Sequence, residues 1–351
     1  MVFRKRKVVV GISGGVDSAV TALLLKTQGY EVSGLYFSVS PILSEVAEKL
    51  ERISKILQIP IKILDVQKEF KATVIEYFRK EHLAGRSPSP CTICNPEFKW
   101  KVLFDYAQQK GAELVASGHY IQKAVIDNKW FIVRGEDDKK DQSYYLWGIK
   151  QDYLQRMIFP LGNQTKDITK EIAYKNGLDF VVKSKESTGL CFAEGLPYSS
   201  LIKKHIPETA LIPEGSIVDE TGKEIGKHNG YIYYTIGQKR DLNFYESTDK
   251  CVVAIDASKN QLIAGLPSEL WHNTFTVTDC VFADIASVLM SKTISVKIRG
   301  FGWNPDGYCT LAEKGNNTFT VTLENNAWAP APGQPAVFYS GNILVGGGII
   351  Q

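Results

Sequence analysis

Residues 8–18 read Val-Val-Val-Gly-Ile-Ser-Gly-Gly-Val-Asp-Ser, an apolar run that passes straight into a glycine- and serine-rich turn. The run has the signature of a buried strand. After the turn, Val16, Ala19, Val20, Leu23 and Leu24 recur as the apolar side of a helix. A strand that feeds a helix through such a turn suits an anion. Gly14 and Gly15 let the backbone approach without a Cβ in the way. The first N–H groups of the helix have no internal partners and point at the turn. Ser13 and Ser18 add hydroxyl donors. Asp17 is the odd member, because a carboxylate repels phosphate. It is expected either to cap the helix start or to help hold a Mg²⁺ that neutralises phosphates.

The turn lacks the lysine of the Walker A loop and the spacing of the dinucleotide fingerprint. It resembles instead the pyrophosphate loop of the N-type ATP pyrophosphatases. That resemblance implies ATP, with Mg²⁺, split between the α- and β-phosphates to activate a substrate as its adenylate. It makes Gly11, Ile12, Ser13, Gly14, Gly15, Val16, Asp17 and Ser18 the nucleotide loop.

The rest of the N-terminal part alternates strand and helix. Strands are expected over 8–12, 31–37, 61–66 and 113–116, and helices over 18–28, 44–57 (with Ile53, Ile56 and Leu57 on one side), from 67 to about 82, and 98–110. Repeated βα units argue for a parallel sheet covered on both faces, with ligands at the carboxyl ends of its strands. After about residue 205 short β runs take over, Tyr231–Tyr234 among them, separated by turn residues such as Gly222, Gly230 and Gly333. The expected fold class is therefore α/β: a parallel-sheet ATP-pyrophosphatase (adenine nucleotide alpha hydrolase-like) domain over 1–204, a small central β domain over 205–268 and a C-terminal β-barrel over 269–351.

With 351 residues, more than one core is needed. No apolar run approaches the roughly 20 residues that span a bilayer, and the basic N-terminus is followed by too short an apolar stretch for a signal peptide. The cytoplasm is the expected compartment, with no membrane partner. Net charge is +3, from 41 basic and 38 acidic residues, which neither requires nor excludes a nucleic acid. A local patch would serve, with Lys99, Lys101, Lys139, Lys140, Lys183, Lys185, Lys203, Lys204, Lys239 and Arg240 as candidates; a solvated surface is the simpler reading for any one of them.

Six cysteines are too sparse for a disulfide scaffold. Cys251, Cys280 and Cys309 fall in expected strands among apolar neighbours and read as buried, inert thiols. Cys91 and Cys94 form a C-x-x-C in the segment GRSPSPCTICN (85–95), expected as an extended loop before a helix that begins near Glu97. A helix N-terminus lowers a nearby thiol pKa, so a thiolate at neutral pH is expected there. Cys191 stands far away in sequence, in STGLCF (187–192). No second ligand pair supports a structural zinc site.

GISGGVDS, GRSPSPCTICN, SGHY (117–120), KDQSYYLW (140–147), FPLG (159–162), STGLCF, YTIGQKR (234–240), PGQPAVFY (332–339) and GGGII (346–350) occur in this order. Together they resemble the tRNA-specific 2-thiouridylases, over essentially the whole chain. The resemblance implies that O2 of the wobble uridine is adenylated and then replaced by sulfur. It makes Cys94 the nucleophile and Cys191 the persulfide carrier. Phe37 and Gly118 match nucleotide contacts. Ser89, Pro90 and Cys91 match the segment near the target base, Lys140, Asp141 and Gln142 a tRNA-contacting turn, and His119 and Gln334 positions that support activity. The implied partners are tRNA and a sulfur-donor protein, a cysteine desulfurase or a sulfur relay.

Two departures stand out. Many relatives carry an acidic residue where this chain has Cys91. The trio Cys91, Cys94 and Cys191 is thereby a candidate set of [4Fe–4S] ligands, against plain persulfide chemistry with Cys91 as a bystander or resolving thiol. In the barrel, relatives often carry a basic stretch; here Arg299 and Gly300 keep the place but lose neighbouring charge. A divergent paralogue acting on another tRNA or acceptor is the alternative. Amidating or lysidine synthetases share the loop but need no cysteine pair, and a sulfur carrier or plain RNA-binding module needs no ATP loop.

Overall fold

The computed structural model describes residues 5–183, 189–193 and 195–351. Of the segments named above, Lys185, Ser187 and Thr188 lie outside the described residues. The chain divides into two compact units, one of residues 1–73, 91–192 and 342–344, the other of 74–90, 193–341 and 345–351.

The first unit opens with β1 (Lys7–Gly11), α1 (Val16–Thr27), β2 (Glu31–Ser38), α2 (Ser44–Leu57) and β3 (Ile61–Asp65). Next comes α3 (Gln67–Phe70), which runs through a π-helical turn, Lys71–Ile75, into α4 (Glu76–Leu83) of the second unit. Back in the first unit are α5 (Pro90–Cys94), a second π-helical turn (Asn95–Lys99), α6 (Trp100–Gln109) and β4 (Leu114–Ala116). They are followed by a hairpin of β5 (Ile121–Ile126) and β6 (Lys129–Arg134), then α7 (Gln151–Arg156), β7 (Met157–Ile158), α8 (Lys166–Lys175) and α9 (Asp179–Val182). The sheet has the order β3-β2-β1-β4-β7, and every pairing in it is parallel. The parallel, doubly covered sheet is therefore present. Val8, Val9 and Val10 are wholly buried at its centre.

Strand order reverses between β1 and β4. In an open α/β sheet the crevice forms at such a switch point, outside the carboxyl ends. Residues 11–18 leave β1 there, and 117–120 leave β4. Sequence periodicity read α1 too narrowly. Leu23 and Leu24 are only half-buried, whereas Ala22 and Leu25 are fully buried, because the helix is covered on more than one side. On α2 the buried stripe is Leu50, Ile53 and Leu57, and Ile56 faces out. The hairpin had no counterpart in the expected elements. Its turn residues Asp127 and Asn128 both take positive φ, +48° and +61°, which is the two-residue hairpin turn that Asp and Asn tolerate.

The second unit holds α4, α10 (Tyr198–His205) and a five-stranded sheet made from β8 (Gly215–Val218), β9 (Glu224–His228), β10 (Asn243–Phe244), β11 (Cys251–Asp256) and β12 (Gln261–Gly265). Tyr231–Tyr233, expected to be a strand, is a 3-10 turn instead. Gly230 enters it at φ +108°, and Tyr231 and Ile232 are buried, so side-chain burial rather than pairing explains the apolar run.

Beyond lie β13 (Trp271–Phe282), α11 (Ile285–Met290), β14 (Ile294–Lys297), β15 (Cys309–Gly315), β16 (Thr318–Trp328), β17 (Pro335–Ser340) and β18 (Ile343–Ile350). Strands β13-β16-β15-β14-β17-β18 are neighbours in that order, and β13 pairs again with β18, which closes a six-stranded barrel. The glycine run allows the closure. A Cβ at Gly346 would strike Phe282, and one at Gly348 the thiol of Cys280. Cys251, Cys280 and Cys309 are buried in β11, β13 and β15, where burial pushes their thiols up.

Candidate functional site

The turn after β1 is tied to itself. The Ser18 hydroxyl accepts from the Ser13 N–H at 3.1 Å and donates to the Gly15 carbonyl at 3.0 Å. The Gly15 N–H donates to Ser13 Oγ at 3.3 Å. Gly14 takes φ +78°, a conformation that costs glycine little and other residues more. The two hydroxyls thus shape the turn, while the first-turn N–H groups of α1 remain its anion-facing donors.

Asp17 does neither of the things expected of it. The N-cap of α1 is Gly15, and no side chain caps it. Both carboxylate oxygens of Asp17 accept from Lys166 Nζ at 2.8 Å, and Oδ1 also accepts from the Tyr120 hydroxyl at 2.8 Å. Tyr120 bonds Thr169 Oγ1 at 2.9 Å as well. Lys166 is buried. A carboxylate whose two oxygens already hold an ammonium is not a metal ligand in this arrangement, so Asp17 does not fit the Mg²⁺ role as placed. Neither Lys166 nor Tyr120 was singled out from sequence for this contact. Lys166 is the first residue of a capped helix, behind Thr165, and such a lysine reads as solvent-facing.

The end of β4 closes on the same turn. A Cβ at Gly118 would lie 2.8 Å from the Asp17 carbonyl carbon and 2.9 Å from its Cβ, so glycine is what lets the two segments meet. His119 is buried, with Nδ1 2.7 Å from Ser117 Oγ and its ring tilted over Trp100. Burial, with Lys99 nearby, holds its pKa well below the usual imidazole value, so it is neutral. Phe37, half-buried at the end of β2, meets Phe98 edge-on at 6.1 Å.

The C-x-x-C is helical rather than extended. α5 starts at Pro90, seven residues before the expected start, and Cys91 and Cys94 ride on it. Proline at the first helical position gives up no bond, because that N–H is an orphan in any helix. The thiols also differ from expectation. Burial, and then a charge on Cys191, push Cys91 up to about 11. Burial pushes Cys94 up to about 12, with Lys99 acting the other way. Cys191 is raised too, again by burial first, although the residue itself is exposed. Desolvation outweighs the helix dipole here, so all three are thiols at neutral pH. Among the described residues no group of three or more His, Cys, Asp or Glu is placed to hold a metal ion. As placed, the three cysteines do not form a ligand set for a [4Fe–4S] cluster.

The turn expected at tRNA is held by its own side chains. Asp141 is buried; Oδ1 accepts from the N–H groups of Gly135 and Ser143 at 3.2 Å, and Oδ2 from the Ser143 hydroxyl at 2.9 Å and from Arg134 Nε at 3.3 Å. Gln142 Oε1 accepts from the Tyr120 N–H at 3.1 Å. Lys140 is half-buried.

In the second unit, two of the quoted motifs, YTIGQKR and PGQPAVFY, converge on Ser87, in the segment that carries Ser89 and Pro90. Its N–H donates to the Pro332 carbonyl at 2.8 Å, its carbonyl accepts from Gln334 Nε2, and its hydroxyl lies 2.6 Å from that of Thr235. Arg299, beside Gly300, spends its guanidinium on the carbonyls of Trp328 at 3.0 Å and Ala329 at 2.8 Å and sits over the Trp328 ring.

Comparison with known proteins agrees with this architecture. Residues 6–195 match the tRNA methyl transferase HUP domain, 199–265 the tRNA methyl transferase PRC-barrel domain and 272–350 the aminomethyltransferase beta-barrel domain. The class is thus a HUP-domain protein that continues into two β domains. Among relatives, the tRNA-specific 2-thiouridylase MnmA 2 of Clostridium botulinum (strain Loch Maree / Type A3) is 37% identical over 350 residues, 98% of both chains. The protein of the same name from Phocaeicola vulgatus is 37% identical over 346 residues, 98% of this chain and 97% of its own. The tRNA-specific 2-thiouridylase MnmA of Chlorobium luteolum is 37% identical over 361 residues, 99% and 97%. The chain belongs to the tRNA-specific 2-thiouridylase family.

Proposed function

We propose that this protein is an ATP-dependent tRNA 2-thiouridylase that converts the wobble uridine to 2-thiouridine, releasing AMP and pyrophosphate. Family membership over 98% of the chain carries the reading. The words methyl transferase in the matched domain descriptions do not: a phosphate turn at the switch point and three cysteines in the same unit serve activation and sulfur transfer. The named relatives, all 2-thiouridylases at 37% identity over nearly the whole chain, do not favour the divergent-paralogue alternative.

The chemistry follows from what uridine lacks. Its C2 carbonyl is a poor electrophile, and oxide does not leave. ATP lies with its phosphates on Gly11–Ser18 and its nucleoside near Phe37 and Gly118, so that O2 attacks the α-phosphorus and pyrophosphate departs. AMP then becomes the leaving group at C2. A persulfide on Cys191, loaded by the sulfur-donor protein, supplies sulfur. Either its terminal sulfur attacks C2 and displaces AMP, after which Cys94 attacks the Cys191 sulfur and releases 2-thiouridine, or Cys94 attacks the Cys191 sulfur first and frees hydrosulfide, which displaces AMP at C2. Both routes leave a Cys94–Cys191 disulfide for a reductant to open. The wobble base has to leave its stack to be reached.

Ser89, Pro90, Cys91, Lys140, Asp141, Gln142, Arg299 and Gly300 are each read as tRNA contacts. The bonds of Asp141 and Gln142 support a role in shaping the turn. His119 and Gln334 support activity from behind, through the Trp100 packing and the Ser87 carbonyl. We read the domains as 1–204, 205–268 and 269–351, and the compartment as the cytoplasm, where sparse cysteines stay reduced. No helix among the described residues is long and apolar enough to cross a membrane.

The test is incubation with ATP, a sulfide source and unmodified tRNA, followed by mass spectrometry of the nucleosides. 2-Thiouridine at the wobble position is expected. Its absence from every wobble-uridine tRNA overturns the assignment.

A further inference from the structure

Cys91 takes no part in the chemistry above, yet it stands on the same helix as the nucleophile. Cys91 and Cys94 are three residues apart in the first turn of α5, a spacing that puts both side chains on one helix face. Helix-start C-x-x-C thiols at this spacing form redox pairs. A train of rings brings the third cysteine to this face. Phe192, next to Cys191, meets Phe70 edge-on at 5.8 Å, and Phe70 meets Phe98, one turn beyond Cys94, edge-on at 5.2 Å. The three thiols are near enough that a charge on Cys191 acts on both of the others. Their exposure differs. Cys191 is exposed, while Cys91 and Cys94 are half-buried.

We propose that Cys91 is a resolving thiol, which opens the Cys94–Cys191 disulfide left by hydrosulfide release and returns Cys191 to be loaded again. This rests on the persulfide reading above. The Cys91 thiolate attacks Sγ of Cys94, the bond between Cys94 and Cys191 breaks, and Cys191 leaves as a thiolate that takes up the proton Cys91 gave. The product is a Cys91–Cys94 disulfide, and nothing is oxidised or reduced overall in the exchange. An external dithiol then reduces that disulfide in a second step. It departs as its own disulfide and leaves Cys91 and Cys94 as thiols. The exposed carrier is thereby freed before any reductant has to reach the helix.

The test is one turnover, anaerobic and without reductant, on persulfide-loaded protein with ATP and tRNA, followed by alkylation and tryptic mass spectrometry. Cys91 and Cys94 fall in one peptide, 87–99, and Cys191 in another, 186–203. In the wild type, peptide 87–99 is expected two hydrogens lighter, with Cys191 alkylated. In Cys91→Ser, the two peptides are expected cross-linked through Cys94 and Cys191. In that variant the rate of later turnovers relative to the first should fall about tenfold compared with wild type. A wild-type cross-link between the peptides with Cys91 alkylated overturns the proposal, as does iron bound through Cys91. Failure of the first turnover in the wild type would instead bring down the persulfide reading itself, and the proposal with it.

Discussion

The turn after β1 and the helix that carries Cys91 and Cys94 use the same device, the start of a helix in one α/β unit, to opposite ends. At Gly11–Ser18 hydroxyls brace the turn, and a buried lysine holds its one carboxylate. At α5 the same orphan N–H groups and the same dipole meet partly buried thiols, which burial keeps protonated. A helix start sets a sign, worth about 0.3–1 kcal/mol at the surface. Desolvation sets the magnitude and wins at the second place.

The strongest way to break the comparison is to remove one end. Cys94→Ser should abolish 2-thiouridine, a loss of about a thousandfold or more, while ATP–pyrophosphate exchange in the presence of tRNA continues. Loss of exchange as well would show that the two ends do not act separately. Next, alkylation of peptide 87–99, followed by mass spectrometry, should quicken about tenfold per pH unit from 7 to 9 without levelling, because Cys91 and Cys94 ionise at about 11 and 12. A plateau above pH 7 would restore the dipole as the dominant influence. The linkage has the same sign. Folded-state values above the ordinary thiol pKa stabilise the protein below about pH 8.5 and lose that contribution as pH climbs through 11.

At the loop end, Gly118→Ala forces a Cβ against Asp17 and should cost about 1–3 kcal/mol in urea unfolding and weaken ATP binding. An unchanged midpoint would mean that the two segments can part freely. The smallest effect belongs to Lys166→Met. It should cost about 1–2 kcal/mol, less than a fully buried pair, because Asp17 is partly exposed. It should slow pyrophosphate exchange yet leave the alkylation profile of 87–99 unmoved. A shifted profile would tie the two ends together.

What was legible in the sequence follows from how far each feature depends on distant neighbours. The βα alternation, the loop and the cysteine positions are local patterns, and β2 and α2 fall within a residue of where periodicity puts them. Tyr231–Tyr233 misled because an apolar run fits a buried turn as well as a strand. The state of the thiols and the grip of Lys166 on Asp17 were not legible, since burial by residues tens of positions away decides both. The start of α5 was half legible. The prolines of 85–95 argue in sequence for an extended loop, yet Pro90 serves as a helix starter.

The fastening of Ser87 has a consequence for how the chain is made. Its carbonyl is held by Gln334, which is 247 residues further on, and its hydroxyl by Thr235, 148 residues on. A ribosome delivers the segment ahead of the two cysteines long before it delivers those partners. For most of synthesis the β1 turn can already be in place, while the residues leading into α5 still wait for the last stretch of barrel to emerge.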